Sequence, residues 1–175
     1  LWDDPLMGIV WHEYRASKST VWEEYLESLK QIMDELNPHR SHDWNAGHID
    51  HAWHCANALK HKIEFRLQLY KAYNSRDLAE LKTLSEAKTD AVLAAIDGLC
   101  QSFRRQWVRS YKYDGLEVMQ IKLGGLKERY RETRCRIQEL LEGKINSIPE
   151  LELKPNTMGA CDTGYRMVAT GGWFI

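Results

Sequence analysis

Apolar residues recur at steps of three and four along most of the chain from residue 20 to residue 141, which is the spacing of one face of an α-helix. The stretch STVWEEYLESLKQIMDEL predicts the first helix. Thr20 with Glu23 three residues later fits a capping box, in which each side chain satisfies an amide of the first turn. Asn37 and Pro38 end this helix, because a proline disfavours the helical conformation of the residue before it.

A second, longer helix is predicted from Ile49 to Tyr73. Its apolar positions form a stripe wide enough to face a core. Phe65 and Leu69 lie off that stripe, so we expect the helix to contact a second neighbour as well. The residues of the stripe are Ile49, Ala52, Ala56, Leu59, Ile63, Leu67 and Tyr70.

A third helical region is predicted from Leu78 to Tyr111, with Asp77 as its N-cap. A break is expected at residues 83–85. Gly98 lies within the apolar stripe of this region, where the missing side chain would admit a neighbouring one.

A fourth helix is predicted from Gly115 to Leu141, with Gly124 and Gly125 side by side inside it. Glycine costs a helix interior about 1 kcal/mol relative to alanine, so the pair needs a reason. We expect Gly125 to let another helix or loop come close and Gly124 to relieve crowding at the same crossing; a local kink is the alternative. The predicted buried side consists of Val118, Ile121, Gly125, Leu126, Tyr130, Thr133, Ile137, Leu140 and Leu141.

Four long helices with short connections predict an all-α fold, an antiparallel bundle with an irregular C-terminal tail. We divide the chain into a lead-in segment (residues 1–16), the helical bundle (17–143) and a tail (144–175). The tail contains several apolar residues, so we expect it to pack on something rather than to act as a free linker.

The composition fits one globular domain. Hydrophobic residues make up 43 % of the chain, and 24 lysines and arginines against 25 aspartates and glutamates give a net charge of −1, without the basic excess of a nucleic-acid binder. No apolar run approaches the ~20 residues of a membrane span, so we expect neither nucleic acid nor a membrane as a partner.

The four cysteines are far apart, which indicates reduced thiols and favours the cytoplasm. Because the chain begins LWDDPLMG, without Met, we interpret it as part of a longer protein whose upstream targeting signal is not seen.

Histidines cluster between residues 42 and 61, the densest candidate for metal chemistry. His51 and His54 are three residues apart and could share one helix face, which makes them the candidate ligands. A zinc site needs further ligands at a fitting spacing, and none is evident apart from the nearby Cys55. We therefore predict no metal and no cofactor, and interpret the segment as a polar helix face.

Carboxylates also occur in pairs, which raises the question of acid–base catalysis. Glycosidic hydrolysis needs two carboxyl groups about 5–10 Å apart across a cleft, whereas these pairs lie at a chain end or on helix faces. We expect them to serve in solvation and in i, i+4 pairing, and we assign no catalytic residue. The pairs are Asp3-Asp4, Glu23-Glu24, and Glu150 with Glu152.

The order of four stretches is more specific than any of these patterns. LWDDPLMGI, KAYNSRDLAEL, FRRQWVRSYKYDGLEVMQIKLGGLKER and RIQELLEGKINSIPELE occur in this order, and together they span about residues 1–153. They resemble the region that follows the catalytic barrel in bacterial β-N-acetylhexosaminidases of glycoside hydrolase family 20.

The resemblance implies a parent enzyme that releases terminal N-acetylhexosamine as a retaining exo-glycosidase, and it makes this chain the non-catalytic C-terminal domain. The family's chemistry uses a neighbouring Asp-Glu pair at the end of a barrel strand, and no carboxylate of this chain matches that pair. The expected role is structural, as support for the barrel of the same chain or as part of a homodimer. The alternative is a helical module that binds glycan or cell-surface material through exposed tryptophans.

Overall fold

The computed structural model of the protein describes residues 3–8, 20–41 and 45–152. The all-α prediction is confirmed, with four long helices as its frame. The predicted packing of the tail beyond residue 152 lies outside the described residues. In chain order, the helices are α1 (Val21–Leu36), α2 (Ala46–Ser75), α3 (Leu78–Thr83), α4 (Thr89–Ser110), α5 (Leu116–Leu141) and the short α6 (Pro149–Glu152).

The long helices α4 and α5 are antiparallel, as two ion pairs between them show. Lys127 of α5 donates to Asp97 of α4, with an Nζ–Oδ1 distance of 2.7 Å. One turn or more further along α5, Arg134 pairs with Asp90, which lies earlier in α4. Residue numbers therefore rise along one helix as they fall along the other.

Between α3 and α4 the chain makes a π-helical turn, Leu84–Lys88, close to the break expected from the sequence. A π-helical turn holds more residues than a turn of α-helix, and its hydrogen bonds span five residues. The Thr89 hydroxyl donates to the Leu84 carbonyl at 2.7 Å, so this fully buried side chain keeps a partner. Apolar residues on both sides of the turn belong to one core cluster.

Helix α2 is the central element and buries residues on two sides. On one side, Phe65 and Leu69 are almost fully buried in the main core with residues of α3, α4 and α5. On the other side, Ala56 and Ile63 pack against Leu29 of α1. The second neighbour that we expected for α2 is confirmed, and a single apolar stripe was too narrow a description of this helix.

Two local predictions at helix positions are confirmed. The Asp77 carboxylate accepts a hydrogen bond from the amide of Glu80 at 3.0 Å and so caps α3. At Gly98, an added Cβ would lie 2.7 Å from Nδ1 of His54, so the missing side chain does admit a neighbouring ring.

Three other local predictions are wrong. Thr20 has backbone angles outside the extended region, and its hydroxyl donates to the Glu24 carboxylate (2.9 Å) instead of forming a capping box with Glu23. A Cβ at Gly124 would meet nothing within 4 Å, so this glycine relieves no crowding, and α5 continues through it. Ile121 is 55 % exposed, because none of the described residues covers that face of α5.

Candidate functional site

The N-terminal segment Asp3–Gly8 is folded into a turn on the bundle. The Asp4 carboxylate accepts hydrogen bonds from the amides of Leu6 and Met7, both at 2.8 Å, as a side chain that closes a tight turn does. Leu6 is fully buried in the main core. At Gly8, an added Cβ would lie 2.1 Å from Oδ2 of Asp3, so this position requires glycine. Residues 3–8 thus pack into the core of the bundle.

An ion pair links this turn to α5. Arg129 donates from Nε to Oδ2 of Asp4 at 2.5 Å, and Asp4 is only 6 % exposed. Burial raises the pKa of the Asp4 carboxyl, but the hydrogen bonds from Arg129, Met7 and Leu6 outweigh burial and hold the pKa below its usual 3.8. Asp4 is therefore ionised in the folded protein at neutral pH. The expectation that Asp3-Asp4 is merely solvated is wrong for Asp4.

Two cations one turn apart on α2 hold the same turn from the other side. Lys62 donates from Nζ to the carbonyl of Asp3 at 2.9 Å, and Arg66 donates to the carbonyl of Leu6 at 3.4 Å. Both side chains are buried, and the Lys62 ammonium lies 5.1 Å from the ring centroid of Tyr130. Burial lowers the pKa of Lys62 to about 8, although nearby Asp3 and Asp4 favour its charged form.

We call the turn Asp3–Gly8 with Lys62, Arg66 and Arg129 the anchor. It brings together groups 59 and 125 residues apart in the chain. Buried charges of this kind are stable only when paired and hydrogen-bonded, which fixes the position of the segment. Chemically, the anchor can hold a polypeptide segment in place.

The sequence reasoning missed the three cations of the anchor. The available signal was Lys62 and Arg66, spaced i, i+4 among apolar residues of a helix with two buried sides. A second signal was the DDPLMG stretch, in which an aspartate directly before proline favours a turn. Neither signal identifies the pairing, because the partners are distant in sequence.

A cavity of about 80 Å³ lies beside the anchor. It is partly open to solvent, and its lining is mainly apolar. Its walls come from α1, α2, α5 and the N-terminal turn itself. The lining residues outside the anchor are Trp22, Leu59, Ile63 and Tyr130.

The candidate metal ligands His51 and His54 lie near the N-terminal end of α2. The His51 ring is 3.0 Å from the Ser102 hydroxyl through Nδ1 and 3.6 Å from the Cys55 sulfur through Nε2. Burial lowers the pKa of His51 and raises the pKa of the Cys55 thiol, so this pair is neutral and has no reactive thiolate. In residues 3–8, 20–41 and 45–152, no group of three or more His, Cys, Asp or Glu side chains is arranged to hold a metal ion.

His54 belongs to a second charged group, which we call the Asp50 cluster. Asp50 accepts from Arg40 (Nη2–Oδ1 2.8 Å) and from Arg105 (Nη2–Oδ2 2.6 Å), and His54 Nε2 lies 3.6 Å from Asp50 Oδ1. Arg40 also stacks over the ring of Trp53 at 3.8 Å. Burial lowers the pKa of His54 more than Asp50 raises it, so the ring is neutral at pH 7. The cluster connects three parts of the fold, namely helix α2, helix α4 and the turn that follows α1.

The acidic pair Glu150 and Glu152 does not form a catalytic arrangement. Glu150 pairs with Arg136, with an Oε1–Nε distance of 3.3 Å, and Glu152 accepts from the hydroxyl of Tyr73 at 2.7 Å. The Tyr73 oxygen in turn accepts from the amide of Ile148 at 2.9 Å. These carboxylates thus fasten α6 to the end of the bundle.

An aromatic stack lies at the end of α4. Phe103, Trp107 and Tyr111 follow one another at i, i+4 and i+8, with ring centroids 5.5 and 5.0 Å apart. The Trp107 indole donates to the carbonyl of Lys112 at 2.8 Å, which fixes its ring. Tyr111 is 66 % exposed and Tyr113, just beyond the stack, is 84 % exposed.

Helices long and apolar enough to cross a membrane were not found in the part of the chain that the structure describes.

Fold and contacts together define an all-α domain that has its own N-terminal segment fixed into the core by buried charges. The family model described as Glycoside Hydrolase 20C C-terminal domain matches residues 1–164, and the chain therefore belongs to that family. This confirms the family 20 resemblance drawn from the four sequence stretches. A comparison with curated proteins found no match.

Proposed function

We propose that this chain is a non-catalytic accessory domain of a β-N-acetylhexosaminidase and that it supports the catalytic barrel preceding it in the same chain. Membership in a family of glycoside hydrolase C-terminal domains favours a catalytic domain upstream. The observation that carries the structural role is the anchor. It fixes the first described residues of the chain in the middle of the bundle, so that a domain attached before them would be held rigidly.

The chemistry of the described residues supports a non-catalytic role. Asp4 and Asp50 are each held by arginine, and both carboxyl groups have a pKa below the usual value. A general acid needs the opposite, a carboxyl pKa raised towards neutrality. Neither Asp4 nor Asp50 is therefore suited to protonate the leaving oxygen of a glycoside.

The test uses the full-length enzyme with Asp4→Ala, which removes the acceptor that the anchor offers to Arg129. We expect kcat/KM on a chromogenic N-acetylhexosaminide to stay within about twofold. The half-life of activity at elevated temperature should fall at least about tenfold, because breaking a buried ion pair costs about 3 kcal/mol and each 1.4 kcal/mol is a factor of about ten. Asp97→Ala, which removes an exposed ion pair, is the matched control and should leave the half-life unchanged. If the half-life of activity is the same in both variants, the supporting role is refuted.

Dimerisation is the other structural role that we propose to test. Three residues on the outer side of α1, Val21, Tyr25 and Ile32, are between 41 % and 58 % exposed and share one face. Apolar faces of this kind are common at subunit interfaces. Sedimentation of the full-length enzyme with Ile32→Glu should show a loss of dimer if this face is the interface, and an unchanged sedimentation coefficient would exclude this face.

Glycan binding is a second candidate function, and the exposed aromatic stack is the observation that favours it. Tyr111 and Tyr113 present rings of the kind that stack on sugars, next to the exposed Arg109 and Lys112 as hydrogen-bond donors. Isothermal titration with N-acetylglucosamine oligomers tests it. Binding that disappears in Tyr111→Ala would support this function, and an absence of heat across the oligomers would leave barrel support as the proposed role.

We propose that His51 and His54 bind no metal ion. Both nitrogens of His51 already have neighbours, in Ser102 and Cys55, and His54 Nε2 lies 3.6 Å from Asp50. The neutral state of the two rings alone does not make a metal site. Elemental analysis of protein purified without a histidine tag decides the matter. A stoichiometric metal that is lost in His51→Ala would contradict our expectation.

A further inference from the structure

We infer that the cavity beside the anchor receives one apolar side chain of the catalytic domain that precedes this chain. The inference rests on the proposed function and adds to it the place at which the two domains meet. Its basis is the position of the cavity, the chemistry of its walls and the point at which the chain enters the bundle.

The walls of the cavity select an apolar occupant. Leu59 and Ile63 lie one turn apart on α2, and the rings of Trp22 and Tyr130 face them from α1 and α5. An empty apolar cavity loses the dispersion contacts on its open side, so filling it with a hydrocarbon group is favourable. Its volume of about 80 Å³ is about half that of a ~150 Å³ protein cavity able to hold benzene. One branched aliphatic side chain therefore fits it.

The rim of the cavity carries charges of both signs. Lys62 and Arg66 line it and already donate to carbonyl groups of the N-terminal turn, and Asp3 and Asp4 line it with the opposite charge. The rim therefore favours no occupant of either charge, and the apolar walls determine that the occupant is an apolar side chain.

The entry of the chain identifies where the occupant comes from. Asp3, Asp4 and Pro5 form one wall of the cavity, so the polypeptide upstream of residue 3 leaves from the cavity rim. A domain attached at this point is held near the cavity, which raises its effective concentration there. The C-terminal side of the described chain is further away, because Glu152 is bonded to Tyr73, eleven residues or about 16 Å along α2 from Lys62.

A photo-crosslinker placed in the wall tests the occupant directly. In the full-length enzyme, Trp22→p-benzoylphenylalanine keeps an aromatic side chain of similar size in the cavity wall. We expect irradiation to join it to a peptide encoded upstream of Leu1, identified by mass spectrometry. The matched control is Val108→p-benzoylphenylalanine, on the exposed face of α4, which should give no such product.

Other crosslinking results would overturn the inference. These are a product within residues 9–19 or 153–175, a product between two copies of the enzyme, and no product at all. If the Trp22 variant fails to fold, the crosslinker is placed at Leu59, the next wall residue on α2, with the same expected partner.

A volume test complements the crosslink. Leu59→Phe fills the cavity, whereas Leu59→Ala enlarges it without blocking entry. In the full-length enzyme we expect Leu59→Phe to shorten the half-life of activity at elevated temperature at least threefold more than Leu59→Ala does. A shorter half-life for Leu59→Ala would mean that only packing within the bundle matters, and would count against the inference.

The outcome for the cavity can be separated from that for the proposed function. If Asp4→Ala destabilises the catalytic domain but the crosslink lies elsewhere, the supporting role stands and the cavity is not its contact. If the crosslink reaches the catalytic domain but Asp4→Ala leaves its inactivation unchanged, the contact exists and the supporting role fails.

Discussion

The anchor and the Asp50 cluster use the same chemistry at two depths of one molecule. In each, a carboxylate accepts hydrogen bonds from basic side chains on another element of the fold. The Asp4 side chain is 7 % exposed and accepts hydrogen bonds from two backbone amides as well as from Arg129, whereas the Asp50 side chain is 18 % exposed and its partner Arg105 is 55 % exposed. Water therefore reaches the Asp50 carboxylate more readily than the Asp4 carboxylate. The burial of the carboxylate, rather than the number of ion pairs that it makes, therefore determines which group stabilises the fold more.

The largest expected effect comes from removing the two carboxylates in turn. Asp4→Ala should lower the free energy of unfolding by about 3 kcal/mol, because it leaves Arg129 and two amides without their acceptor. Asp50→Ala should lower it by about 1 kcal/mol, since its partners reach solvent. Urea denaturation followed by circular dichroism at pH 7 measures both, and equal losses would break the comparison.

Added salt sharpens the same contrast. Raising the ionic strength to 1 M shortens the Debye length to about 3 Å and screens exposed charges far more than buried ones. The loss of unfolding free energy caused by Asp50→Ala should then become smaller, whereas the loss caused by Asp4→Ala stays the same. A similar decrease for both variants would show that the anchor is more hydrated than its burial indicates.

The pH dependence of stability separates the two regions next. Lys62 in the anchor has a pKa of about 8 in the folded state and 10.5 ordinarily, so between these values the unfolded chain binds one more proton. Stability should therefore rise between pH 8 and pH 10 with a slope of up to about 1.4 kcal/mol per pH unit. Above pH 10 the buried Tyr130, whose pKa burial raises, opposes the rise.

Lys62→Met provides the control for this titration. Its stability should lack the rise that the wild type shows between pH 8 and pH 10, as measured by urea denaturation at each pH. An identical slope in both proteins would assign the titration to another group.

Packing rather than charge should govern the region around the Asp50 cluster. Gly98→Ala would bring a methyl group to 2.7 Å from His54, so we expect a loss of about 1–2 kcal/mol in the free energy of unfolding. Thermal denaturation measures it. A gain in stability would mean that the His54 ring moves away at little cost.

The smallest expected effect has the opposite sign. Gly124→Ala meets open space in α5, so the higher helix propensity of alanine should raise stability by about 0.5–1 kcal/mol. The two glycine variants, measured side by side by thermal denaturation, compare the same substitution in a packed and an open position. A loss at Gly124 would point to a neighbour that the described residues do not include.

Periodicity alone was enough to predict the fold. Four long helices, the cap at Asp77 and the close contact at Gly98 all follow from local spacing, because helix formation depends on neighbours three and four residues away. The same reasoning failed at Thr20, where the choice between two glutamates depends on backbone angles that the sequence does not reveal.

The anchor could not be predicted in the same way. Lys62 and Arg66 look like residues of a solvated helix face until the N-terminal turn is laid over them. Their partners are more than fifty residues away, and no local spacing rule connects residues so far apart. Burial of a cation is decided by what covers it, which is a property of the tertiary structure.

The π-helical turn at Leu84–Lys88 has a consequence for length variation in this domain. It holds one residue beyond what a regular helix needs between α3 and α4. Deleting a single residue there would convert the turn into plain α-helix and leave the orientation of every later residue unchanged. We therefore expect homologous domains to differ by one residue at this point more readily than elsewhere within their long helices.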